Sequence, residues 1–239
     1  MDCQEVIEKC IARGDVMMPE PEAQKICSAF GIGCPPATLV TNKAHGSKAA
    51  QEMGYPVVIK IFSRQIIHKS DVGGVITGIQ GPEQLNKAFE QLLSNVGRQA
   101  PGAKIDGIIV QKQMPKGIEL VVGGLRNKQF GPVVMVGLGG IYVEVFKDVS
   151  FRLAPLNKAE ALRQLRETRA YQFLQGVRGE QACNIDSLCD VIVNTGRLLS
   201  AFPQISELDF NPVFCYPEGC TAVDARIVLP SPGMFSDKN

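Results

Sequence analysis

Four groups of residues in this chain have the types and spacing that chemistry on phosphates requires. Lys60 sits inside the apolar run 57–61 (VVIKI), where a cation must reach solvent or meet a negative partner, because burying it alone is costly. A phosphate serves as that partner; so does an outward-facing position on an edge strand. The loop 68–74 (HKSDVGG) ends in Gly73 and Gly74, whose backbone amides can approach a polyphosphate closely. His68 offers a neutral imidazole as a nucleophile toward phosphorus, although a solvated turn explains the same loop. Glu119 lies eight residues beyond Gln111 in the strand-like stretch 118–122. If the backbone from Gln111 to Met114 binds a purine edge, that carboxylate can take ribose hydroxyls; the plain alternative is a solvent-facing Glu. Asp209 and Asn211 fall on one face of a strand through 207–212 (ELDFNP), and Asp224 in 222–226 (AVDAR) can come from the neighbouring strand of a hairpin. Oxygen donors of this kind, with phosphate and water, suit Mg2+, and a capped turn accounts for them as well.

The pattern predicts helices over residues 22–30, closed by Gly31, over 43–53, stopped by Gly54-Tyr55-Pro56, and over 82–96. Strands are predicted over 34–40, 57–61 and 72–79, so that the stretch up to about residue 104 forms one small α+β lobe. Strands over 105–113, 117–124, 133–136, 141–146 and 151–153 follow. Asn157 and Glu160 form an N-cap and N3 pair for a helix to about Arg169; a second helix runs from Asp186 to about residue 200. Two short β pieces, 213–215 and 221–224, close a second and larger lobe.

At 239 residues, with 45% hydrophobic and 21% charged residues, the chain can bury a core, and wholesale disorder is excluded. Its net charge of +1 and lack of basic runs argue against nucleic acid as a partner. The stretch 131–143 is too short and too interrupted to span a membrane, and the polar N-terminus has no apolar signal core, so a soluble cytoplasmic protein is expected. The eight cysteines, at positions 3, 10, 27, 34, 183, 189, 215 and 220, contain no CxxC pair, and two histidines are poor material for zinc. Mostly buried free thiols are expected. Neither a GxxxxGK loop nor a complete GxGxxG is present, which disfavours P-loop and dinucleotide-binding readings.

Taken in order, the strings at 54–60 (GYPVVIK), 68–74 (HKSDVGG), 110–111 (VQ), 115–120 (PKGIEL), 130–135 (FGPVVM), 137–144 (GLGGIYVE), 147–155 (KDVSFRLAP) and 208–212 (LDFNP) resemble the ATP-grasp family. The closer resemblance is to the nucleotide-binding β subunits of ADP-forming acetyl-CoA (acyl-CoA) synthetases, relatives of succinyl-CoA synthetase. It covers about residues 16–229. It implies an α+β fold of two lobes clasping a nucleotide, a lid lobe at 21–104 and a larger lobe made of 1–20 and 105–239. It further implies that Lys60 contacts the ATP phosphates, that Gln111 to Met114 is the adenine hinge, and that Glu119 binds the ribose. Asn211 and Asp224 would hold Mg2+, Asp209 would act beside a phosphohistidine, and His68 would carry phosphate toward ADP. No role is assigned to Glu144, Lys147, Asp148 or Arg152.

The reaction implied is acyl-CoA + ADP + phosphate ⇌ acid + ATP + CoA, catalysed only with an α subunit that supplies the CoA and acyl sites and the first phosphohistidine. An α2β2 heterotetramer is the assembly the resemblance suggests. The alternatives are the ATP-grasp domain of a larger synthetase-like protein or acyltransferase, and a non-catalytic nucleotide sensor, which would need neither His68 nor Asp209. A carboxylate–amine ligase would not require the His68 loop.

Overall fold

The structure is a computed structural model that describes residues 2–66, 68–140, 148–176 and 181–230. The chain divides into two compact units, residues 35–115 and residues 1–34 with 116–239.

The smaller unit is a four-stranded antiparallel sheet in the order β1 (Ala37–Val40), β4 (Gly107–Lys112), β2 (Val57–Phe62), β3 (Val75–Ile79), packed against helices α3 (Lys43–Met53) and α4 (Pro82–Gln99). All six residues of β2 are buried, as befits an interior strand. Helix α4 buries Leu85, Ala88, Phe89, Leu92 and Val96, an i, i+3, i+4, i+7 stripe. Gly46 lets the two helices close together, because a Cβ there would lie 2.4 Å from Phe89 Cζ. Asn42 caps α3 by accepting from the His45 amide, and Gly54, at φ 72°, ends it.

The larger unit contains α1 (Cys3–Ala12), α2 (Glu20–Ala29), α5 (Lys158–Arg166), α6 (Ala170–Leu174) and α7 (Ile185–Ala201). Its antiparallel sheet has the order β10 (Ala225–Val228), β8 (Glu207–Cys215), β5 (Ile118–Asn127), β6 (Gly131–Leu138), β7 (Val149–Leu153), and β9 (Cys220–Ala222) also pairs with β8. Helix α7 packs on β5, β6 and β8; α2 packs on β10. Residues 16–18 lie along β10 through Met18 N to Ile227 O and Leu229 N to Val16 O, which draws the N-terminal helices into this unit. The Asn157–Glu160 capping box opens α5 as expected. The helix stops at Arg166 rather than Arg169, because the Thr168 hydroxyl donates to Leu165 O and Asp148 caps the Arg169 amide to begin α6.

The lobe boundaries expected at 21 and 104 are displaced by this packing. Strand β4 pairs with β1 and β2, so its Ile108 and Val110 lie in the smaller core, whereas Ala23, Ile26 and Cys27 of α2 lie in the larger one. Helix α1 had no sequence expectation attached to it. The strand expected over 141–146, which includes Glu144, lies outside the described residues, as does Lys147; β7 pairs with β6, Phe151 opposite Met135. Among the described residues no helix is long and apolar enough to cross a membrane.

The C-terminal end of α7 is tied to the sheet by Arg126 of β5, whose guanidinium donates to the carbonyls of Leu199, Phe202 and Ile205. These acceptors have no further turn of helix to satisfy them. Arg126→Ala is therefore expected to lower stability by about 2 kcal/mol in urea unfolding, the scale of stranding partly buried acceptors. A shift below about 0.5 kcal/mol, the scatter of ordinary surface substitutions, would show that water replaces the arginine.

Candidate functional site

In the smaller unit the polar residues gather on β2, β4 and the loop between β2 and β3. Lys60 lies on interior strand β2, opposite Val75 of β3 and Ile109 of β4, and is 4% exposed. The outward-facing edge-strand alternative is thereby removed. Gln111 is buried on β4 opposite Ala37 and Val58. Beyond it the Lys112 amide donates to Pro36 O and the Gln113 amide to Pro56 O. The Lys112 ammonium holds the turn before β2 by donating to Gly54 O at 2.9 Å and Tyr55 O at 3.0 Å. Two amides of the 111–114 stretch are thus already used inside the unit.

The loop after β2 carries an exposed His68. Its glycines do something other than present donors to an anion. The Gly73 amide donates to Ser70 O and the Gly74 amide to Lys69 O, while Gly74 O accepts from Ile61. Gly73 has φ 63°, and a Cβ on Gly74 would lie 2.6 Å from Ile61 Cγ2 and 2.8 Å from Lys69 O. Both are glycine because the loop folds back tightly onto β2, and their amides are spent in closing it.

In the larger unit the polar residues lie on β5, β8 and the turn after β9. Glu119 of β5 stands opposite Phe214. Its carbonyl accepts from Gly139, and Gly140, at φ 65°, leaves room for its carboxylate: a Cβ there would lie 2.9 Å from Oε2. On β8, Phe210 is fully buried, which leaves its neighbours Asp209 and Asn211 on the opposite face. Leu120 pairs with Val213 but Val122 with Phe210, so β8 carries an extra residue at Asn211–Pro212. Pro212 has no amide to give the ladder, and such a bulge turns the adjacent side chain outward; Asn211 is exposed. Asp224 is placed differently from expectation. It lies in the turn between β9 and β10, in neither strand, with Val223 N donating to Pro212 O beside Asn211.

Arg226 was not singled out by sequence. It stands opposite Asp209 on β10, with its guanidinium 3.4 Å from the Asp209 carboxylate and 2.5 Å from that of Glu207. Its Nε is buried without a hydrogen-bond partner. The signal was present as alternation: an Arg two residues after Asp224 in a strand paired with 207–209.

The ATP-grasp domain family matches residues 9–229. Over 226 residues the chain is 46% identical to the β subunit of ADP-forming acetate–CoA ligase I from Pyrococcus furiosus, covering 95% of this chain and 97% of that one. The chain belongs to the ATP-grasp family of ADP-forming acetate–CoA ligase β subunits. The ADP-forming acetate–CoA ligase I of Archaeoglobus fulgidus is 42% identical over 226 residues, which are 95% of this chain but 33% of that longer one. A solved structure of acetyl-coenzyme A synthetase 1 from Candidatus Korarchaeum cryptofilum, in complex with coenzyme A, Ca-AMPCP and HgCl+, is similar at 41% identity and a TM-score of 0.93, covering 96% of this chain and 100% of that one. A second structure of that synthetase holds coenzyme A and Mg-AMPPCP, with a phosphohistidine segment pointing towards the nucleotide-binding site; it matches at 38% identity and a TM-score of 0.84, covering 96% and 100%.

The carboxamide of Asn211 and the carboxylate of Asp224 are hard oxygen donors of the kind that suits Mg2+. Among the described residues no group of three or more His, Cys, Asp or Glu side chains can hold an ion alone. Asn211 and Asp224 lie on segments joined by the Pro212–Val223 hydrogen bond, and a Mg2+ held there would need further oxygens to complete its shell. Arg226 lies across the ladder from Glu207 and Asp209, which share one face of β8, and offsets their mutual repulsion. Arg226→Leu is expected to destabilise the ATP-grasp chain by about 1–3 kcal/mol, the cost of leaving partly buried carboxylates without their cation. Calorimetry that finds the midpoint unmoved would show that the two acids do not need it.

Proposed function

We propose that the chain is the nucleotide-handling β subunit of an ADP-forming acid–CoA ligase, catalysing acyl-CoA + ADP + phosphate ⇌ acid + ATP + CoA together with an α subunit. The observation that carries this reading is the end-to-end likeness to a separate β subunit, whereas longer single-chain ligases are matched over a third of their length. The missing two thirds correspond in the reading to the α part, which supplies the CoA and acyl sites; an α2β2 assembly in the cytoplasm is the expected form.

Within the smaller unit, Lys60 neutralises nucleotide phosphate charge from its buried place on β2. Adenine recognition falls to the backbone near Met114, since the amides of Lys112 and Gln113 are engaged. His68, on its exposed loop, is the acceptor whose imidazole nitrogen attacks phosphorus and then yields the phosphoryl group to ADP. Gly73 and Gly74 shape that loop. In the larger unit Glu119 takes the ribose hydroxyls. Asp209, balanced by Arg226, stabilises the positive imidazolium that forms when a phosphohistidine is made. Asn211 and Asp224 hold Mg2+, which when bound offsets the charge of the transferring phosphates.

The decisive test is to incubate the chain, with and without its α subunit, with Mg2+ and ATP radiolabelled on the γ-phosphate. Wild type is expected to carry acid-labile, base-stable label that His68→Ala loses on this subunit. Absence of label from both subunits, with ATP demonstrably bound, would leave the nucleotide-sensor reading instead.

The ribose assignment has its own test, because Gly140 leaves space for the Glu119 carboxylate. Gly140→Ala is expected to weaken ATP binding about tenfold, the loss of one or two hydrogen bonds, while hardly changing affinity for an ATP analogue lacking both ribose hydroxyls. Equal losses for both nucleotides would assign Gly140 a purely structural role.

A further inference from the structure

The eight cysteines are all free, and all lie in the larger unit, in its core or packed against it. Most are inert. Burial pushes the Cys10 thiol up to about 12 and that of Cys189 up to about 11, so both stay protonated and pack as small hydrophobes.

One pair is arranged for chemistry. Cys215 closes β8 and Cys220 opens β9; they are opposite each other in the ladder, with their sulfurs 3.3 Å apart. The Tyr216 amide donates to Gly219 O, and the Cys220 amide turns away to Ser187 Oγ at 3.2 Å. Cys215 and Cys220 therefore form a rung without cross-strand hydrogen bonds, where Cα atoms stand about 4.5 Å apart, inside the disulfide range of about 4.4–6.8 Å. The two sulfurs also differ in access and acidity. Cys215 is 2% exposed, and Cys220 is partly open to solvent. Hydrogen bonds from Cys215 and Ser187 hold the Cys220 thiol below its ordinary value, whereas the same contact and burial hold Cys215 above it. Cys220 also lies beside the start of α7, its amide on Ser187 Oγ and its sulfur 3.9 Å from Asn184 O.

We propose that Cys220 and Cys215 are a nucleophile and a resolving thiol that close to a reversible disulfide by exchange with a low-molecular-weight disulfide. The Cys220 thiolate attacks one sulfur of the reagent, forms a mixed disulfide and releases one thiolate. Cys215 then gives its proton to solvent, attacks the Cys220 sulfur and expels the second thiolate. Two protein thiols are oxidised by two electrons, and the reagent is reduced to two thiols. The new bond fastens the outer end of the hairpin whose inner end is the Pro212–Val223 contact beside Asn211 and Asp224.

The test equilibrates the full chain at graded ratios of oxidised to reduced glutathione, alkylates the remaining thiols, and maps the peptides by mass spectrometry. Wild type is expected to pass from eight alkylated cysteines to six, with Cys215 and Cys220 joined. Cys215→Ala is expected to accumulate glutathione on Cys220, the intermediate it can no longer resolve, and Cys220→Ser to remain reduced at Cys215. Eight alkylated cysteines in wild type at every ratio would overturn the proposal, and so would a disulfide between other cysteines that leaves Cys215 and Cys220 free. Because the wild-type map needs no variant, poor folding of either mutant would leave the test standing.

Discussion

Strand β8 cannot be regular, and much of the larger unit follows from that. It forms ladders with β5 on one side and with β9 and β10 on the other, yet its sequence places a proline in the middle. A residue without an amide cannot hold a rung in an interior strand, so the ladder gains an extra residue at Asn211–Pro212 and resumes at Val213. Before the bulge, Phe210 enters the core and Asp209 faces Arg226; after it, Val213 and Cys215 are buried again. One irregularity thereby turns a carboxamide outward, keeps an acid paired, and passes the chain on to the turn that holds Asp224.

The smaller unit answers a different constraint. Lys60 occupies a strand whose every residue is buried, between two other strands, and a cation in that position is costly unless it meets negative charge. Around it the chain is tightly closed: the 69–74 turn folds onto Ile61, Lys112 grips the turn before β2, and Gly46 lets α3 approach Phe89. His68 stands exposed on the loop of this scaffold. In the proposed reading this support around His68 suits phosphoryl transfer, which asks for positioning and charge neutralisation rather than for elaborate covalent machinery.

Much of this was legible in the residues themselves. Periodicity and capping placed α3, α4, α5 and α7 to within a turn, because their buried faces lie between signals such as Gly54 and the Asn157–Glu160 pair. The grouping of strands was harder, since β4 reads locally like any apolar run, and only its ladders with β1 and β2 assign it to the smaller sheet. The candidate residues were legible as types, but two readings of their local geometry were not. Paired glycines look like an anion cradle until the partners of their amides are known, and Asp224 looks like a strand residue until β9 is seen to end at Ala222. Arg226 and the Cys215–Cys220 rung were hidden for the same reason: both depend on which strands pair and in what register.

The smaller unit is one unbroken stretch of chain, whereas the larger is assembled from two pieces that flank it. Residues 16–18 and helix α2 rest on β10, almost the last strand to be made. During synthesis the N-terminal helices therefore emerge first but have no sheet to cover until the ribosome has delivered residues 225–228. The smaller sheet has all four of its strands by residue 112, so it can form while the flanking pieces still wait for each other. The connectivity thus lets residues 35–115 mature before the two pieces that flank them can close on each other.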